Sequence, residues 1–244
     1  MISPDNNAAG FLDQAPDALR YEYASKEPDD TAMRIAKRIP LGSRVLDVGC
    51  GTGSITEIIR NTSNATIIGL EPDEQRARQA QSRGLTVIND YLSVNLIRDQ
   101  GPFDFVVFAD VIEHLPNPAQ VISLAKTALK PGGSILASVP NVAHFYTRLD
   151  LLCGVFRYED CGIMDATHLR WFTKGSFKLF FERLDFEVVY QDYTVMPTMH
   201  YYSRRKPFCW MNERRRTQLL RRLAAWKPEV FSVQHIIQAA KARV

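Results

Sequence analysis

The most constraining feature of the chain is the join RVLDVGCGTGS, residues 44–54, where an apolar run of strand length breaks into glycines at 49, 51 and 53. Such a join reads as a strand that ends in a tight loop and opens a helix. Glycine tolerates positive φ there and lets main chain approach a ligand. The alternation continues downstream. Strands are expected at TIIGLE (66–71), LTVIN (85–89), FDFVVFAD (103–110), SILASVP (134–140), FEVVYQDY (186–193) and FSVQHIIQA (231–239). Helices are expected over SITEIIRN, DEQRARQAQSRG, NPAQVISLAKTALK and TKGSFKLFFERL. Asn117-Pro118 joins a capping side chain to a helix-opening proline, and Lys130-Pro131-Gly132-Gly133 reads as a helix stop and turn. The implied class is α/β, a mostly parallel sheet with helices on both faces.

Length and composition narrow the partners. A chain of 244 residues with 45% apolar and 23% charged residues suits one well-cored domain. No apolar run approaches a membrane span, and the first residues lack the basic and apolar regions of a secretory signal, so stable membrane insertion is not expected. Cys50, Cys153, Cys161 and Cys209 form no CxxC pair, so neither a disulfide framework nor a zinc site is read; no metal and a cytoplasmic location are expected. Charge is uneven. Residues 1–30 carry seven acids against Arg20 and Lys26, whereas residues 196–244 carry eleven Lys/Arg against Glu213 and Glu229. The chain divides into an N-terminal helical cap (1–40), a core (41–193), a lid or insertion (194–230) and the last strand of the core (231–244).

The glycine loop alone is a weak signal, since a tight turn needs no ligand. A dinucleotide fingerprint would place its third glycine at 54, where the chain has Ser54, and a phosphate loop would need a following Lys-Ser/Thr. Asp47, two residues before the first glycine, would repel a pyrophosphate but suits a cofactor with a cationic amino group and a sulfonium. Glu71, at the end of the second strand, is placed to accept both hydroxyls of a ribose.

Six stretches carry a family resemblance: VLDVGCGTG, LEPD, NDYL, FDFVVFADVIEHLPNP, LKPGGSILASVPN and DATHLRWFT. Together they resemble the class I S-adenosylmethionine-dependent methyltransferases, in particular the bacterial branch related to ubiquinone-pathway and sugar or glycan O-methyltransferases. The likeness spans roughly residues 20–193 and is specific for cofactor and fold rather than acceptor. It implies a Rossmann-like seven-stranded sheet whose last strand is antiparallel. It also implies that Gly49, Cys50, Gly51 and Gly53 line the methionine part of S-adenosylmethionine, with Asp47 toward its amino group. Glu71 would take the ribose, Pro72 and Asp73 flank the adenosine, and Asp90 and Tyr91 contact adenine. Ala109, Asp110 and Val111 would form the floor. Tyr21 and Tyr23 are candidates to close over the cofactor, or are ordinary half-buried aromatics.

Transfer to a hydroxyl needs a base, and histidine suits neutral pH. His168, in GIMDATHLRWFT, falls on a long excursion after the fifth strand, with Arg170 and Trp171 beside it as acceptor contacts. The plain alternative is a loop anchored by its aromatics. His114, in VIEHLPNP, borders the cofactor floor or bonds its own loop, and His144, after VPN, is a third candidate. Asn141 joins the acceptor contacts. The Asn/Asp-Pro-Pro-aromatic motif of nucleic-acid amino-methyltransferases is missing after the fourth strand, which carries Asp110-Val111-Ile112-Glu113 instead, so no nucleic acid is expected.

The 194–230 segment reads as an acceptor lid, a homodimer contact or a surface for anionic lipid carriers, with a plain basic lid helix as the bland reading. Its helix would set Leu219, Leu220, Leu223 and Trp226 on one side. The expected activity is methylation of a small-molecule or sugar hydroxyl. N- or C-methylation and a nucleotide-dependent oxidoreductase are the alternatives.

Overall fold

The computed structural model describes residues 29–196 and 208–241. Its centre is a seven-stranded sheet in the order β3-β2-β1-β4-β5-β7-β6. The strands are β1 (Arg44–Val48), β2 (Thr66–Leu70), β3 (Thr86–Ile88), β4 (Phe103–Ala109), β5 (Leu129–Pro140), β6 (Phe186–Thr194) and β7 (Gln234–Lys241). The first five are parallel. The last, β7, inserts between β5 and β6 and runs antiparallel to both. The sheet is thus the Rossmann-like arrangement with a reversed last strand.

Period-2 burial explains the two-sided core. Leu46, Val106, Ile135 and Ile237 point to one face and pack with Ile122, Ala125, Phe177 and Phe181. Their neighbours Val45, Val107, Leu136 and Ile236 point to the other and pack with Ile35 and Ile59. Those partners come from helices α1 (Thr31–Ala36), α2 (Ser54–Ser63), α5 (Pro118–Thr127) and α7 (Lys174–Glu182). Capping sets their starts. Asn117 accepts from the Gln120 amide ahead of Pro118, and Thr173 forms a capping box with Ser176.

Several expectations shift. Helix α5 ends at Thr127, before the Lys-Pro-Gly-Gly stretch, which joins β5 as an irregular start. Pairing jumps from Phe103↔Leu129 to Phe105↔Ser134, and Gly132 takes φ +78° inside that bulge. Helices α3 (Glu74–Ser82), α4 (Val94–Gln100) and α6 (Phe145–Leu152) complete the crossovers. The last two have short apolar faces and escape a periodicity reading. A longer helix, α8 (Glu213–Trp226), buries Leu220 and Ala224 but leaves Trp226 70% exposed, so the tryptophan is not on its packed side. The final strand begins at Gln234 because Pro228–Phe231 forms a short helix.

The loops after β1 and β4, neighbours in the sheet, leave toward opposite sides of it, to α2 and α5. That reversal opens a crevice at the carboxyl ends of the strands, where α/β sheets bind ligands.

Candidate functional site

The β1 side of the crevice is assembled from neighbouring loops. After β1 the main chain turns sharply, with the Gly49 and Cys50 amides both donating to the Leu70 carbonyl. Gly49 sits at φ +73°, and a side chain there would run into Val111. Gly51, at φ +57°, faces open space that a Cβ would enter. The buried Glu71 carboxylate ties this loop to the next: it accepts from the Gly51 amide at 2.8 Å and from the Asp73 amide at 3.0 Å. Asp73 then caps α3 by accepting from Arg76. Asn89 donates to the main-chain oxygens of Glu71 and Pro72, joining the ends of β2 and β3. Beyond it, Asp90 and Tyr91 are exposed, Tyr91 by 73%.

Two buried carboxylates, Asp47 and Glu71, lie close together here without a salt bridge among the described residues, and a third, Asp110, ends β4. Asp47 accepts from the Thr56 hydroxyl at 2.6 Å; burial, with Glu71 nearby, pushes its carboxyl up to about 6. Asp110 follows β4 at φ +54° and is held by Ser138 and Gln234. Burial likewise pushes it up to about 6. The buried Thr52 hydroxyl in the same loop has no hydrogen-bond partner among the described residues. Buried acids, an unused hydroxyl and an open cradle over Gly51 suit a ligand that brings positive charge, and S-adenosylmethionine fits that description. Cys50 packs against Gly69, and burial beside Asp47 and Glu71 drives its thiol well up, out of the reactive range.

Across the crevice the site is built over long range. Ile112–His114 forms a single 3₁₀ turn after β4. The Glu113 carbonyl accepts from the Leu169 and Arg170 amides, clamping the excursion between β5 and α7 onto that turn. His114 and His168, rivals in the sequence, become neighbours: their ring centroids are 4.8 Å apart at an interplanar angle of 70°. His168 is nearly buried, with Nδ1 at 3.2 Å from the Ile163 carbonyl. His114 Nδ1 lies 3.2 Å from the Thr167 carbonyl. Arg170 is exposed and donates to the Pro116 carbonyl, while half-buried Trp171 stacks edge-on against Phe156.

Two candidates serve the framework instead. His144 is fully buried and caps α6 by accepting from the Tyr146 amide; burial holds its imidazole down at about 3. Asn141 is fully buried too, donating to the Ser232 and Glu229 carbonyls and accepting from the Ala143 amide. Neither side chain has surface to offer an acceptor. Tyr21 and Tyr23 lie outside the described residues.

Sequence reasoning passed over Thr52 and Gln234 and read Glu113 as structural. Glu113 is 1% exposed, and burial together with Asp110 pushes its carboxyl well up. The Glu-His doublet was its only local signal. Gln234, on β7, reaches Asp110 through strand insertion, which no local pattern announces.

The family model described as a methyltransferase domain matches residues 20–191, and the chain belongs to that family. Among curated proteins, ubiquinone biosynthesis O-methyltransferases are similar. That of Xylella fastidiosa is 34% identical over 113 residues, 44% of this chain and 46% of the relative. That of Xanthomonas campestris is 36% identical over 114 residues, covering 44% and 47%. The matched region thus spans about half the length of these relatives. Among solved structures, a SAM-dependent methyltransferase from Archaeoglobus fulgidus superposes with a TM-score of 0.58 at 18% identity, over 86% of this chain and 95% of that one. A [4+2]-cyclase superposes with a TM-score of 0.55 at 18% identity, over 93% and 86%. Likeness at such identity speaks for the fold alone.

Proposed function

We propose that this chain binds S-adenosylmethionine and transfers its methyl group to a hydroxyl of a small molecule or sugar. The observation that carries the reading is the pairing of an acidic glycine-loop cradle with two histidines on the facing loops. Bound in the cradle, S-adenosylmethionine supplies an electrophilic methyl on a sulfonium. Asp47 holds the amino group of its methionine part against Gly49, Cys50, Gly51 and Gly53. Glu71 takes the ribose hydroxyls, Pro72 and Asp73 flank the adenosine, and Asp90 and Tyr91 lie toward adenine. Ala109, Asp110 and Val111 form the floor.

On the acceptor side, a hydroxyl loses its proton as its oxygen attacks, and an imidazole nitrogen is the acceptor for that proton. Carbonyls only accept, so the contacts to Ile163 and Thr167 keep the proton of each ring on Nδ1 and the basic pair on Nε2. His168 is the base in this reading and His114 its neighbour, with Arg170 and Trp171 toward the acceptor. The names of the curated relatives favour oxygen over nitrogen as the methylated atom.

Calorimetry with S-adenosylmethionine, S-adenosylhomocysteine and NAD tests the cofactor, and S-adenosylhomocysteine release on a panel of catechols, phenols and sugars tests the reaction. Binding of the first two and not NAD is expected. Preference for NAD would move the chain to the oxidoreductase reading. Cofactor binding with no release on any acceptor class would move it toward fold relatives that use this sheet for other chemistry, as the [4+2]-cyclase does.

A further inference from the structure

Asp110 leaves β4 at φ +54°, a left-handed conformation that a side chain other than glycine adopts at a cost and keeps only where its surroundings hold it. One part of that hold comes from the neighbouring strand. The Asp110 amide donates to the Ser138 hydroxyl at 3.1 Å, and the same hydroxyl donates back to Oδ1 of the carboxylate at 2.7 Å. The other carboxylate oxygen, Oδ2, accepts from the side-chain amide of Gln234 on β7.

Gln234 is itself held from two further elements. Its Oε1 accepts from the Thr194 hydroxyl at the end of β6, at 3.1 Å, and from the Thr31 hydroxyl in the first turn of α1. An amide oxygen has two lone pairs, so both are used and the NH₂ group faces Asp110. A flipped amide would set an oxygen against the carboxylate.

Helix α1 meets the sheet with two sides. Ala32, Ile35 and Ala36 are buried in the core with Val45 and Ile236. Thr31 and Arg34, three positions apart, and Arg38 just past the helix end face the last two strands instead. Thr31 reaches Gln234, Arg34 reaches both oxygens of Asp192 at 2.6 and 2.7 Å, and Arg38 reaches Gln238 at 2.7 Å. Period two puts Gln234, Ile236 and Gln238 on one face of β7, so one strand face carries the whole seam. Of these contacts, the one at Thr31 continues through Gln234 to Asp110 in the crevice.

We propose that Gln234 is a positioning residue for Asp110 and that, through it, the docking of α1 sets the affinity of the cofactor cradle. The inference rests on the S-adenosylmethionine reading above, in which Asp110 forms part of the floor. The Gln234 amide acts as an oriented donor: it fixes the carboxylate in one place and favours the charged form that attracts a cationic ligand. By linkage, a bound cofactor tightens the seam between α1 and the last strands by the same factor.

Calorimetry with S-adenosylmethionine on folded variants tests the chain of bonds. Gln234→Met keeps the length of the side chain and loses its amide, and cofactor affinity should fall about 10–100-fold, the worth of one bond to a charged group. Thr31→Val keeps the shape and loses the hydroxyl, for a loss of about 3–10-fold. Thr31→Ser, which restores the hydroxyl, should recover the wild-type affinity. In the Gln234→Met background Thr31→Val should cost nothing further, because the amide through which it acts is gone. Losses that multiply in the double variant, a Thr31→Ser protein as weak as Thr31→Val, or unchanged affinity in folded Gln234→Met would each overturn the assignment. Side-chain amide ¹⁵N–¹H spectra of the ligand-free wild type need neither cofactor nor variant: the Gln234 NH₂ should be protected from exchange with solvent. Exchange as fast as that of an exposed glutamine would break the chain at its first bond. A wild type that fails to bind S-adenosylmethionine would refute the methyl-transfer reading, and these spectra would still decide whether Gln234 holds Asp110.

Discussion

The two walls of the crevice are made in different ways. On the β1–β2–β3 side, each contact lies within one short loop or joins loops that follow adjacent strands: Gly51 to Glu71, Glu71 to Asp73, Asn89 to Pro72. On the β4–β5 side, the turn at Glu113 meets a loop more than fifty positions away, as the 53-residue separation of His114 and Thr167 records. A wall built from short loops on paired strands is specified by the strand register. A wall built by clamping a long excursion depends on a few main-chain bonds, such as Leu169 and Arg170 to Glu113. Under the proposed function, the difference makes cofactor and acceptor roles separable in this fold, with the clamped β4–β5 wall the part open to change.

The strongest way to break that separation is at His168. Loss of a general base costs about 10²–10⁴-fold in turnover, so His168→Ala should fall by that order while S-adenosylmethionine affinity stays near wild type. His168→Gln, which bonds but cannot take the proton, should be nearly as impaired. Normal turnover in both variants, at saturating acceptor, removes His168 from the chemistry. A tenfold loss of cofactor affinity in either would show that the walls are coupled.

Next in size is Glu71→Ala. In the proposed reading it removes two charge-assisted ribose bonds, each worth roughly 1.5–3 kcal/mol, and it frees the Gly51 and Asp73 amides. Cofactor affinity measured by calorimetry should drop well over tenfold with the fold retained, and Glu71→Gln should fall between. Unchanged affinity in a folded Glu71→Ala protein sinks the ribose assignment.

Asp47 separates affinity from stability. Its folded value of about 6 lies above the ordinary carboxylate value, so the folded protein holds a proton that the unfolded chain has released. The contribution of this group to stability therefore falls as pH rises from about 4 to 6, and the loss persists above 6. Asp47→Asn should stabilise the ligand-free protein near pH 7–8 by up to about 3 kcal/mol, at 1.36 kcal/mol per unit. A cationic ligand favours the ionised form, so wild-type S-adenosylmethionine affinity should rise with pH through about 6. The slope should be shallower in Asp47→Asn, with Asp110 carrying the remainder. Thermal melts and calorimetry at pH 5 and 7.5 decide it; a pH-independent wild-type affinity would place the cationic part of the cofactor elsewhere.

The smallest effect is expected at Cys50. Its thiol is buried, raised and packed on Gly69, so its role is one of size. Cys50→Ala should keep turnover and affinity within a few-fold of wild type. Complete loss of turnover with cofactor affinity intact would assign the thiol a chemical role.

By itself the sequence determined what hydrogen bonding and periodicity decide within a few residues. That covers the β1 loop with its glycines, the carboxylates Asp47 and Glu71 at strand ends, the capped starts of α5 and α7, and the alternation that makes a two-faced sheet. Register then follows from burial, because a one-residue slip would turn Leu46 and Val106 out of their core. Only the tertiary structure decided that His114 and His168 share one place, that Asn141 and His144 are framework, and that Glu113 is buried without a donor. It also decided that Gln234 reaches Asp110, by inserting β7 between β5 and β6. Those outcomes depend on which distant segments dock. Docking is settled by packing over the whole sheet, and no short stretch of chain holds that information.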